Sequence, residues 1–587
     1  MNSLKIKAQS SERTKMVNQK EKMVIYAVLP RLFGNGNIGR VVNGSITENG
    51  CGKMADFDGK ALQEIKHLGA THIWYIGLIE HATQTNYSQY GIPADHPAIV
   101  KGKAGSPYAI KDYYDIDPDL AKAVPDRMKE FRHLVDRTHK AGLKMIIDFI
   151  PNHVARQYHS NAKPQGVIDL GERDDTSKAF NPSNNFYYIP GKKLQGSIDL
   201  HDGAIKPYEE FPAKATGNDR FDAFLNIADW YETVKLNYGV DYLNEHSKHF
   251  CPIPDTWNKM RDILRFWAAK GIDGFRCDMA EMVPVEFWHW AIPQIKEKYP
   301  ELIFIAEIYN PGAYRNYLFN GKFDYLYDKA GLYDSLRAIT CGRESCTVLT
   351  SRWQSLNGIQ SQMLNFLENH DEQRLASDFF AGNGHNGIPA MIISATMNTN
   401  PVMIYFGQEL GERGMDTEGF SGRDGRTSIF DYWTVDTIFR WRNNGRFTDE
   451  YLNKKEIELR QFYKRLLTMC NREKAIREGE FFDLTYANIE GWTFNEHKQF
   501  AYLRKKDNDL LLIVVNFEDY PVHIAVNLPQ HAFDYLGIPP ITDRPAKELL
   551  SETTGRLSLL PDKATKLTLD RKSGKIWKIG LESLKNN

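Results

Sequence analysis

The fold is decided by one stretch, Gly271-Ile-Asp-Gly-Phe-Arg-Cys-Asp-Met-Ala-Glu-Met-Val283. Its short apolar run between glycines predicts a buried strand that ends on Arg276 and Asp278. Side chains alternate along a strand, so these two share one face. A guanidinium favours the ionised form of a neighbouring carboxylate and lowers its pKa. The pattern fits either a nucleophilic carboxylate at a strand end or a structural ion pair.

Strands and helices alternate on both sides of this stretch. The clearest helical patterns are Phe57–Leu68, Met128–Ala141, Thr256–Lys270 and Val285–Lys298. The predicted strands are Val24–Leu29, Thr71–Ile76, Lys144–Ile150, 272–277, Leu302–Ala306, Phe323–Tyr327, Met363–Leu367 and Pro401–Phe406. Eight strands separated by helices predict an α/β fold, a parallel (β/α)8 TIM barrel. A doubly wound open sheet is the rival, but no glycine-rich dinucleotide turn follows the first strand.

The other segments predict additions to the barrel. We expect the barrel to span 23–154 and 251–470, after a polar extension at 1–22. Residues 155–250 form a long irregular segment rich in Asn, Asp, Gly and Pro, which predicts an inserted domain after the third strand. Residues 471–587 contain short strand patterns and a hairpin, and predict an all-β sandwich domain at the C-terminus.

Composition excludes several classes of function. The net charge of −1, from 74 basic and 75 acidic residues, gives no support for nucleic-acid binding. No apolar run is long enough to cross a membrane, so we expect no membrane association. The first 22 residues lack the apolar core of a secretory signal, which predicts a cytoplasmic protein. The six cysteines are scattered without metal spacing, so we expect free thiols and no zinc site.

Polar side chains follow four of the predicted strands, where a barrel brings the strand ends together on its C-terminal face. They are Asp148 with Asn152 and His153 after strand three, Arg276 and Asp278 at strand four, Glu307 at strand five, and Asn369, His370 and Asp371 at strand seven. Burying several charges is costly unless they are paired or functional. Convergent carboxylates without a cysteine–histidine set indicate acid/base chemistry, and glycoside hydrolysis uses such a pair. The spacing that separates retaining from inverting enzymes stays open.

These stretches resemble the four signature regions of the α-amylase family of glycoside hydrolases and transglycosylases. The matching segments are Asp148-Phe-Ile-Pro-Asn-His153, Gly274-Phe-Arg-Cys-Asp278, Phe304-Ile-Ala-Glu307 and Phe366-Leu-Glu-Asn-His-Asp371. They occur in the family's order, and the likeness covers roughly residues 23–580. The resemblance implies a barrel, a B domain inserted after strand three, a C-terminal β-sandwich, and an α-glucan substrate with no organic cofactor.

The resemblance also implies catalytic roles. Asp278 matches the nucleophile that forms the covalent glycosyl-enzyme, and Glu307 matches the general acid/base. Asp371 matches the third carboxylate, which holds sugar hydroxyls and helps to distort the ring. Arg276 should keep Asp278 ionised, and Asp148 should orient Arg276.

Three further positions match residues that bind the sugar at the cleavage point. His153 and His370 match histidines that bind its hydroxyls, and Tyr108 matches the tyrosine that stacks on the ring. Each of these alone is better explained as a structural or packing residue. Their joint occurrence with the carboxylates favours the binding role.

Some positions depart from the family pattern. Many α-amylases carry Lys-His shortly after the nucleophile, where this chain has Glu281 and Met282. The recognition of the outgoing sugar therefore does not carry over. Ala109 follows the stacking tyrosine, where α-glucosidases often have an aspartate, which argues against a strict α-glucosidase.

A structural calcium is a further implication of the resemblance. Relatives bind the ion with an asparagine that matches Asn152 and with an aspartate of the B domain, for which Asp229 is the nearest counterpart. Oxygen ligands suit this hard cation. The alternative is that Asn152 ties the B domain down by hydrogen bonds alone.

The expected function is a retaining α-glucan hydrolase that acts on starch, glycogen or maltooligosaccharides. A glucanotransferase or maltosyltransferase of the same family is the alternative. A catalytically silent carbohydrate-binding relative is a third hypothesis, against which all three carboxylates are present. Linkage preference, endo or exo action and oligomeric state stay open.

Overall fold

A closed barrel of eight parallel strands forms the centre of the molecule. The computed structural model describes residues 21–420, 422–490 and 493–581. The barrel strands are β1 (Val24–Val28), β2 (His72–Tyr75), β3 (Lys144–Phe149), β4 (Gly274–Cys277), β5 (Ile303–Ala306), β6 (Tyr325–Tyr327), β7 (Met363–Phe366) and β8 (Val402–Tyr405). Each strand pairs with its neighbours in sequence, and β8 pairs with β1 to close the barrel. The predicted (β/α)8 barrel is confirmed.

Helices occupy most connections between the barrel strands, and further helices follow the last barrel strand. They are α1 (Pro30–Phe33), α2 (Ile46–Asn49), α3 (Gly59–His67), α4 (Arg127–Lys140), α5 (Asp255–Ala268), α6 (Val285–Lys296), α7 (Tyr314–Phe319), α8 (Asp334–Thr340), α9 (Val348–Ser355), α10 (Ile388–Thr396), α11 (Asp436–Arg442), α12 (Lys454–Arg472), α13 (Lys474–Arg477) and α14 (Gln530–Leu536). Helix α5 buries an apolar face that includes Trp257, Leu264 and Trp267. Apolar residues at this spacing form one stripe along a helix, which packs against the sheet. Gly271 follows with a φ of 87°, which L side chains rarely adopt, and the chain turns into β4.

Strand β4 is buried on both faces. Phe275 and Cys277 are fully buried, while Arg276 lies on the opposite face. A Cβ at Gly274 would lie 2.4 Å from Cγ1 of Ile303, so only glycine lets β4 and β5 approach this closely. In the register, Arg276 is level with Asp148 of β3, which places both polar residues at the same height in the barrel.

Residues between β3 and α5 form short strands and loops. The strand His153–Ala155 pairs antiparallel with Thr233–Lys235, so the start of this segment and a point near its end lie side by side. The other short strands here are Tyr188–Ile189, Gln195–Gly196, Ala213–Lys214, Phe224–Leu225, Val240–Asp241 and Ser247–Lys248. Strands this short suit the long irregular insertion that the sequence indicated. Its proposed limits at 155 and 250 remain a prediction, as do the other domain limits.

The C-terminal part is built from antiparallel strands. They are β9 (Glu480–Asp483), β10 (Gln499–Lys506), β11 (Asp509–Asn516), β12 (Val522–Leu528), β13 (Ile541–Glu548), β14 (Thr554–Leu559), β15 (Lys563–Leu569) and β16 (Ser573–Gly580). Six of them form one sheet, and β12 pairs with β15 in a second. Alternate residues such as Leu512 and Val526 share a core between the two sheets, which confirms the predicted sandwich. The other face of the large sheet joins the core of the barrel.

Among the described residues, no helix combines the length and the apolar character needed to span a bilayer. The six cysteines are free thiols, as the sequence predicted. The predicted N-terminal extension at 1–22 lies almost entirely outside the described residues.

Candidate active site

Arg276 lies among the carboxylates that the sequence singled out. Its side chain is 1% exposed, and Nη1 donates a hydrogen bond of 2.7 Å to Oδ1 of Asp278. Nη2 lies 2.8 Å from Oε1 of Glu307, and Nε donates to the hydroxyl of Tyr327 at 3.1 Å. Oδ1 of Asp148 lies 3.7 Å from Nη1. One guanidinium therefore holds two candidate catalytic carboxylates side by side.

The pKa of Asp278 is raised by its surroundings. Burial is the largest cause, because the charged form of a carboxylate loses its hydration. The charge and hydrogen bond of Arg276 lower the pKa, while the charge of Glu307 raises it again. The sequence-based expectation of a lowered pKa is therefore wrong in its net direction, although the guanidinium acts with the expected sign. Ionisation of Asp278 depends on Arg276.

Glu307 is held by groups on both of its oxygens. Oε1 accepts a hydrogen bond of 2.6 Å from the hydroxyl of Tyr309, and Oε2 accepts one of 2.8 Å from the backbone N–H of Met279. Met279 has a φ of 41°, so the chain turns sharply just after Asp278 and directs this N–H toward Glu307. Sequence reasoning missed Tyr309. Its position two residues after Glu307 was a usable signal, because alternate residues of an extended chain share a face.

Glu281 supports the loop that carries Tyr309. Its two oxygens accept hydrogen bonds from the backbone N–H groups of Tyr309, at 3.1 Å, and Asn310, at 3.2 Å. Glu281 is one of the positions at which the sequence departs from the common family pattern. The departure places a carboxylate under the loop that follows β5.

Asp371, His370 and Tyr108 form the opposite side of the site. Nε2 of His370 lies 2.9 Å from Oδ2 of Asp371, whose side chain is 45% exposed. Loss of hydration raises the pKa of Asp371, but the neighbouring His370, Arg276 and Arg426 together lower it by more. The ring of Tyr108 stacks on His370, with the centroids 4.9 Å apart. The structure thus brings these three predicted residues together with Asp278 and Glu307.

His153 borders the same site as a neutral ring. Burial lowers its pKa to about 3, and the charges of Lys235 and Lys101 act in the same direction. Its ring lies 5.3 Å from that of Trp230, measured between centroids. A neutral imidazole can both donate and accept a hydrogen bond, which suits a sugar hydroxyl.

Asp148 is buried next to Arg276. Its Oδ2 accepts a hydrogen bond of 3.3 Å from the backbone N–H of Gly77. Burial raises the pKa of Asp148 to about 6, and the charge of Arg276 opposes this. Because the carboxylate of Asp148 is buried and lies 3.7 Å from Nη1 of Arg276, its predicted task of orienting Arg276 is compatible with the geometry.

A cavity of about 380 Å³ joins these residues. It is lined by Lys101, Ser106, Tyr108, His153, Trp230, Glu232, Thr233, Asp278, Met279, Glu307, Tyr309, Asp371, Glu372, Ile429 and Phe430. Its lining combines carboxylates with aromatic rings, which suits a ligand with hydroxyls and flat apolar faces. Sequence reasoning missed Trp230 and Phe430. Trp230 lies directly after Asp229, the proposed calcium ligand, whereas Phe430 lies in a loop far from the quoted motifs.

The residues present do not fit a calcium ion at Asn152. The ammonium of Lys235 lies 2.5 Å from Oδ1 of Asn152 and 2.6 Å from Oδ1 of Asp219. It also lies 3.4 Å from the backbone oxygen of Met282. A lysine cation therefore takes the oxygens that a metal ion would need. The side-chain amide of Asn152 donates to the backbone oxygen of Gly217 at 2.8 Å, so this residue ties the inserted segment down by hydrogen bonds.

Asp229 does not fit a calcium ligand either. One oxygen accepts a hydrogen bond of 3.1 Å from the amide of Asn218. The other accepts one of 2.8 Å from the backbone N–H of Asn226 and lies 3.4 Å from Nη1 of Arg220. Both oxygens thus have donors from the inserted segment itself. The calcium site predicted at Asn152 and Asp229 is not supported.

Comparison with known proteins identifies the family. The model of the alpha amylase catalytic domain matches residues 27–479. The chain belongs to the alpha-amylase family. Neopullulanase 2 of Thermoactinomyces vulgaris is 21% identical to this member over 72% of the chain and 59% of its own length. A cyclomaltodextrinase of Bacillus sp is 23% identical over 84% of the chain and 72% of its own length.

Solved structures share the fold of this alpha-amylase family member. CldA, described as a cyclomaltodextrin glucanotransferase with a three-domain distribution, superposes with a TM-score of 0.63 at 17% identity. The match covers 95% of this chain and 99% of CldA. The family resemblance on four short motifs is thereby confirmed over residues 27–479, and the likeness in fold extends to the C-terminal sheets.

Proposed function

We propose that this chain is a retaining α-glucan hydrolase that cleaves α-glucosidic bonds of starch, glycogen or maltooligosaccharides. The observation that carries the proposal is the shared guanidinium of Arg276, which contacts Asp278 at 2.7 Å and Glu307 at 2.8 Å. Two carboxylates on one planar group are close neighbours. A retaining mechanism needs its carboxyl groups about 5–5.5 Å apart, whereas an inverting one needs about 6.5–9.5 Å.

The reaction takes place in two steps. In the first, Asp278 attacks the anomeric carbon, and protonated Glu307 gives its proton to the departing glycosidic oxygen. In the second, Glu307 takes a proton from water, and the resulting hydroxide displaces Asp278 from the anomeric carbon. Atoms and charges balance without an organic cofactor. Arg276 favours the ionised form of Asp278 before the first step and after the second.

Substrate recognition uses the remaining predicted residues. Asp371 and His370 are in reach of the sugar hydroxyls, and Tyr108 presents a ring for the sugar face. His153, held neutral by burial, is able to donate or accept a hydrogen bond without adding a charge. These contacts keep the anomeric carbon opposite Asp278.

Asp278→Asn tests the nucleophile. We expect hydrolysis of maltoheptaose to fall by about 10³-fold or more, because an amide does not form the covalent intermediate. Asp136→Asn, at an exposed position of α4, is the matched control and should retain full activity. Proton NMR of the early products should show the α-anomer. Undiminished activity of D278N, or release of the β-anomer, would overturn the proposal.

A glucanotransferase is the second candidate, and the aromatic lining next to Glu307 is the observation that favours it. Tyr309, Trp230 and Phe430 surround the cavity, and such rings can hold an acceptor sugar in place of water. Chromatography of products from maltoheptaose distinguishes the two candidates. Oligomers longer than the substrate, in quantity, would establish transfer. Parallel digestion of starch and pullulan would assign the linkage.

A further inference from the structure

A second group of carboxylates lies outside the cavity, on a hairpin near the mouth of the barrel. The strands Ile79–His81 and Ile110–Ile116 pair antiparallel, with Glu80 opposite Asp112. One oxygen each of Glu80, Asp112 and Asp115 lies within 4.8 Å of the others. All three side chains are buried. The proposed catalytic mechanism uses none of them.

Glu80 is the exception among the three, because neither of its oxygens has a hydrogen-bond partner among the described residues. Glu80 is 0% exposed, so bulk water does not reach its carboxylate. Asp115 accepts a hydrogen bond of 2.9 Å from Nε of Arg127. Asp112 accepts four hydrogen bonds, from Ser160 Oγ and the backbone N–H groups of Tyr114, Asn161 and Ala162. A buried carboxylate without a donor requires another partner.

The charges around the group do not balance. Three ionised carboxylates carry three negative charges, and Arg127 supplies one positive charge through its contact with Asp115. The nearby Lys111 is committed to Asp95, with a distance of 2.9 Å from Nζ to Oδ2. Two negative charges thus remain in a buried place. Such a charge is strongly unfavourable unless a cation or protons neutralise it.

We propose that Glu80, Asp112 and Asp115 bind a hard divalent cation, Ca²⁺ or Mg²⁺. A divalent ion cancels the two remaining charges and gives the oxygens of Glu80 a partner. Ca²⁺ binds oxygen at about 2.3–2.6 Å, so its ligands lie up to roughly 5 Å apart, and carboxylates are its preferred ligands. Mg²⁺ needs shorter distances of about 2.0–2.1 Å and usually keeps water ligands.

A bound ion would join the two strands of the hairpin and fix Asp112, which contacts the inserted segment. Asp112 already accepts hydrogen bonds from the hydroxyl of Ser160 and the backbone N–H groups of Asn161 and Ala162, which belong to the segment inserted after β3. Glu80, Asp112 and Asp115 all belong to the hairpin between β2 and α4. The cation would therefore stabilise the contact between the hairpin and the inserted segment, independently of the proposed glucan chemistry.

Protons on the carboxylates are the competing way to neutralise the group. Burial is the main cause that raises the pKa of Glu80, and the charges of Asp112 and Asp115 raise it further, to about 9. The two states respond differently to Glu80→Gln. Glutamine keeps the shape and stays neutral, so it replaces a protonated Glu80 with little effect but removes a metal ligand.

The experiment uses the full chain, dialysed against EDTA and then into metal-free buffer. Tm is measured with no metal, with 5 mM Ca²⁺ and with 5 mM Mg²⁺, for wild type, Glu80→Gln and the exposed control Glu301→Gln. We expect one of the ions to raise Tm by several degrees in wild type and E301Q. The same ion should leave Tm of E80Q unchanged. Elemental analysis after gel filtration should find about one ion per wild-type chain.

An unchanged Tm of wild type with both ions, together with an E80Q variant at least as stable as wild type, would overturn the proposal in favour of protons. An equal rise in E80Q would place the ion elsewhere and would also overturn it. If E80Q fails to fold, Tb³⁺ luminescence of wild type supplies the measurement. Tb³⁺ bound at the site should be displaced by Ca²⁺, and the absence of a saturable signal contradicts the proposal.

Discussion

At the scale of single residues, the site depends on how Arg276 divides its contacts. Its guanidinium contacts Asp278 and Glu307 through different nitrogens and donates to Tyr327 through a third. A planar group with five donors can hold several partners at fixed angles, which a lysine ammonium does not reproduce. The placement of the two carboxylates relative to each other therefore depends on this side chain, in addition to the donors from Tyr309 and Met279 that hold Glu307.

Arg276→Lys should expose this dependence. We expect kcat/KM on maltooligosaccharides to fall by about 10²-fold or more, because an ammonium does not hold both carboxylates in position. Arg276 opposes the effect of burial on the pKa of Asp278, so its weakening raises that pKa further. The acidic limb of the pH profile of kcat/KM should therefore move to higher pH. Arg132→Lys, on the exposed face of α4, should change neither quantity.

His153 makes the stability of the protein depend on pH. Burial lowers its pKa to about 3 in the folded chain, whereas the unfolded chain has the ordinary value of about 6.5. Between these values only the unfolded chain binds the proton, so this residue costs stability as the pH falls below 6.5. From pH 7 to pH 5 the loss is about 2 kcal/mol. The His153→Gln variant should not show this contribution to the loss of stability.

Urea unfolding of wild type and H153Q at pH 7 and pH 5 measures the difference. Wild type should lose more stability than the variant over this interval, whatever the pH dependence of the rest of the molecule. Equal losses would show that His153 is protonated in the folded chain. The comparison concerns only the free energy of unfolding, so an effect of the substitution on substrate binding does not change it.

At the scale of elements, the loop after β5 is placed by a residue that departs from the family pattern. Glu281 accepts hydrogen bonds from the backbone N–H groups of Tyr309 and Asn310, and the hydroxyl of Tyr309 in turn donates a hydrogen bond to Glu307. The carboxylate thus acts on Glu307 through the loop. The carboxylate of Glu281 contacts only backbone N–H groups. Its effect on the loop therefore depends on its two acceptor oxygens and not on its charge alone.

A graded pair of substitutions tests this support. Glu281→Ala removes both acceptors and should lower kcat/KM by about tenfold, since a displaced loop misplaces Tyr309 and hence Glu307. Glu281→Gln keeps one acceptor oxygen and should lose less. Glu301→Gln is the control at an exposed position before β5. Equal activity of E281A and wild type would contradict a role for this loop.

Sequence patterns predicted the barrel strands but not the contacts between distant loops. Strands β3, β4, β5 and β7 were recognisable because apolar runs end on charged residues at the barrel mouth. The contact of Lys235 with Asn152 was not recognisable, because Lys235 lies in a strand of only three residues and Asn152 is 83 positions away in the sequence. Glu80 looks ordinary in sequence, and only folding places it against Asp112. Long-range side-chain pairs of this kind carry no local periodicity.

At the scale of the whole molecule, Arg504 joins the C-terminal sheets to the barrel. The residue is fully buried and donates to the backbone oxygens of Ala475, Met397, Ile476 and Gly479. Nearby, Thr396 of α10 and Tyr502 of β10 share a hydrogen bond between their hydroxyls. Since one face of the large sheet also belongs to the core of the barrel, the two parts should unfold together.

Calorimetry should therefore show one main transition for wild type. Arg504→Ala leaves several buried carbonyls without a donor, which is costly, and should lower Tm by several degrees or split the transition. Arg132→Ala, at the exposed position used above, should leave the transition unchanged. Two separate transitions in wild type would contradict the coupling of the barrel and the C-terminal sheets.

Lys235 has a consequence for the conditions in which the protein can work. A dissociable ion stabilises a fold by mass action, so its effect varies with the concentration of free ion. The ammonium of Lys235 is part of the chain and is present at Asn152 and Asp219 in every molecule. The contact that Lys235 makes between the end of β3 and the inserted segment therefore does not require a metal ion to bind after synthesis. Chelators, dilution and competing ions should leave this contact unchanged.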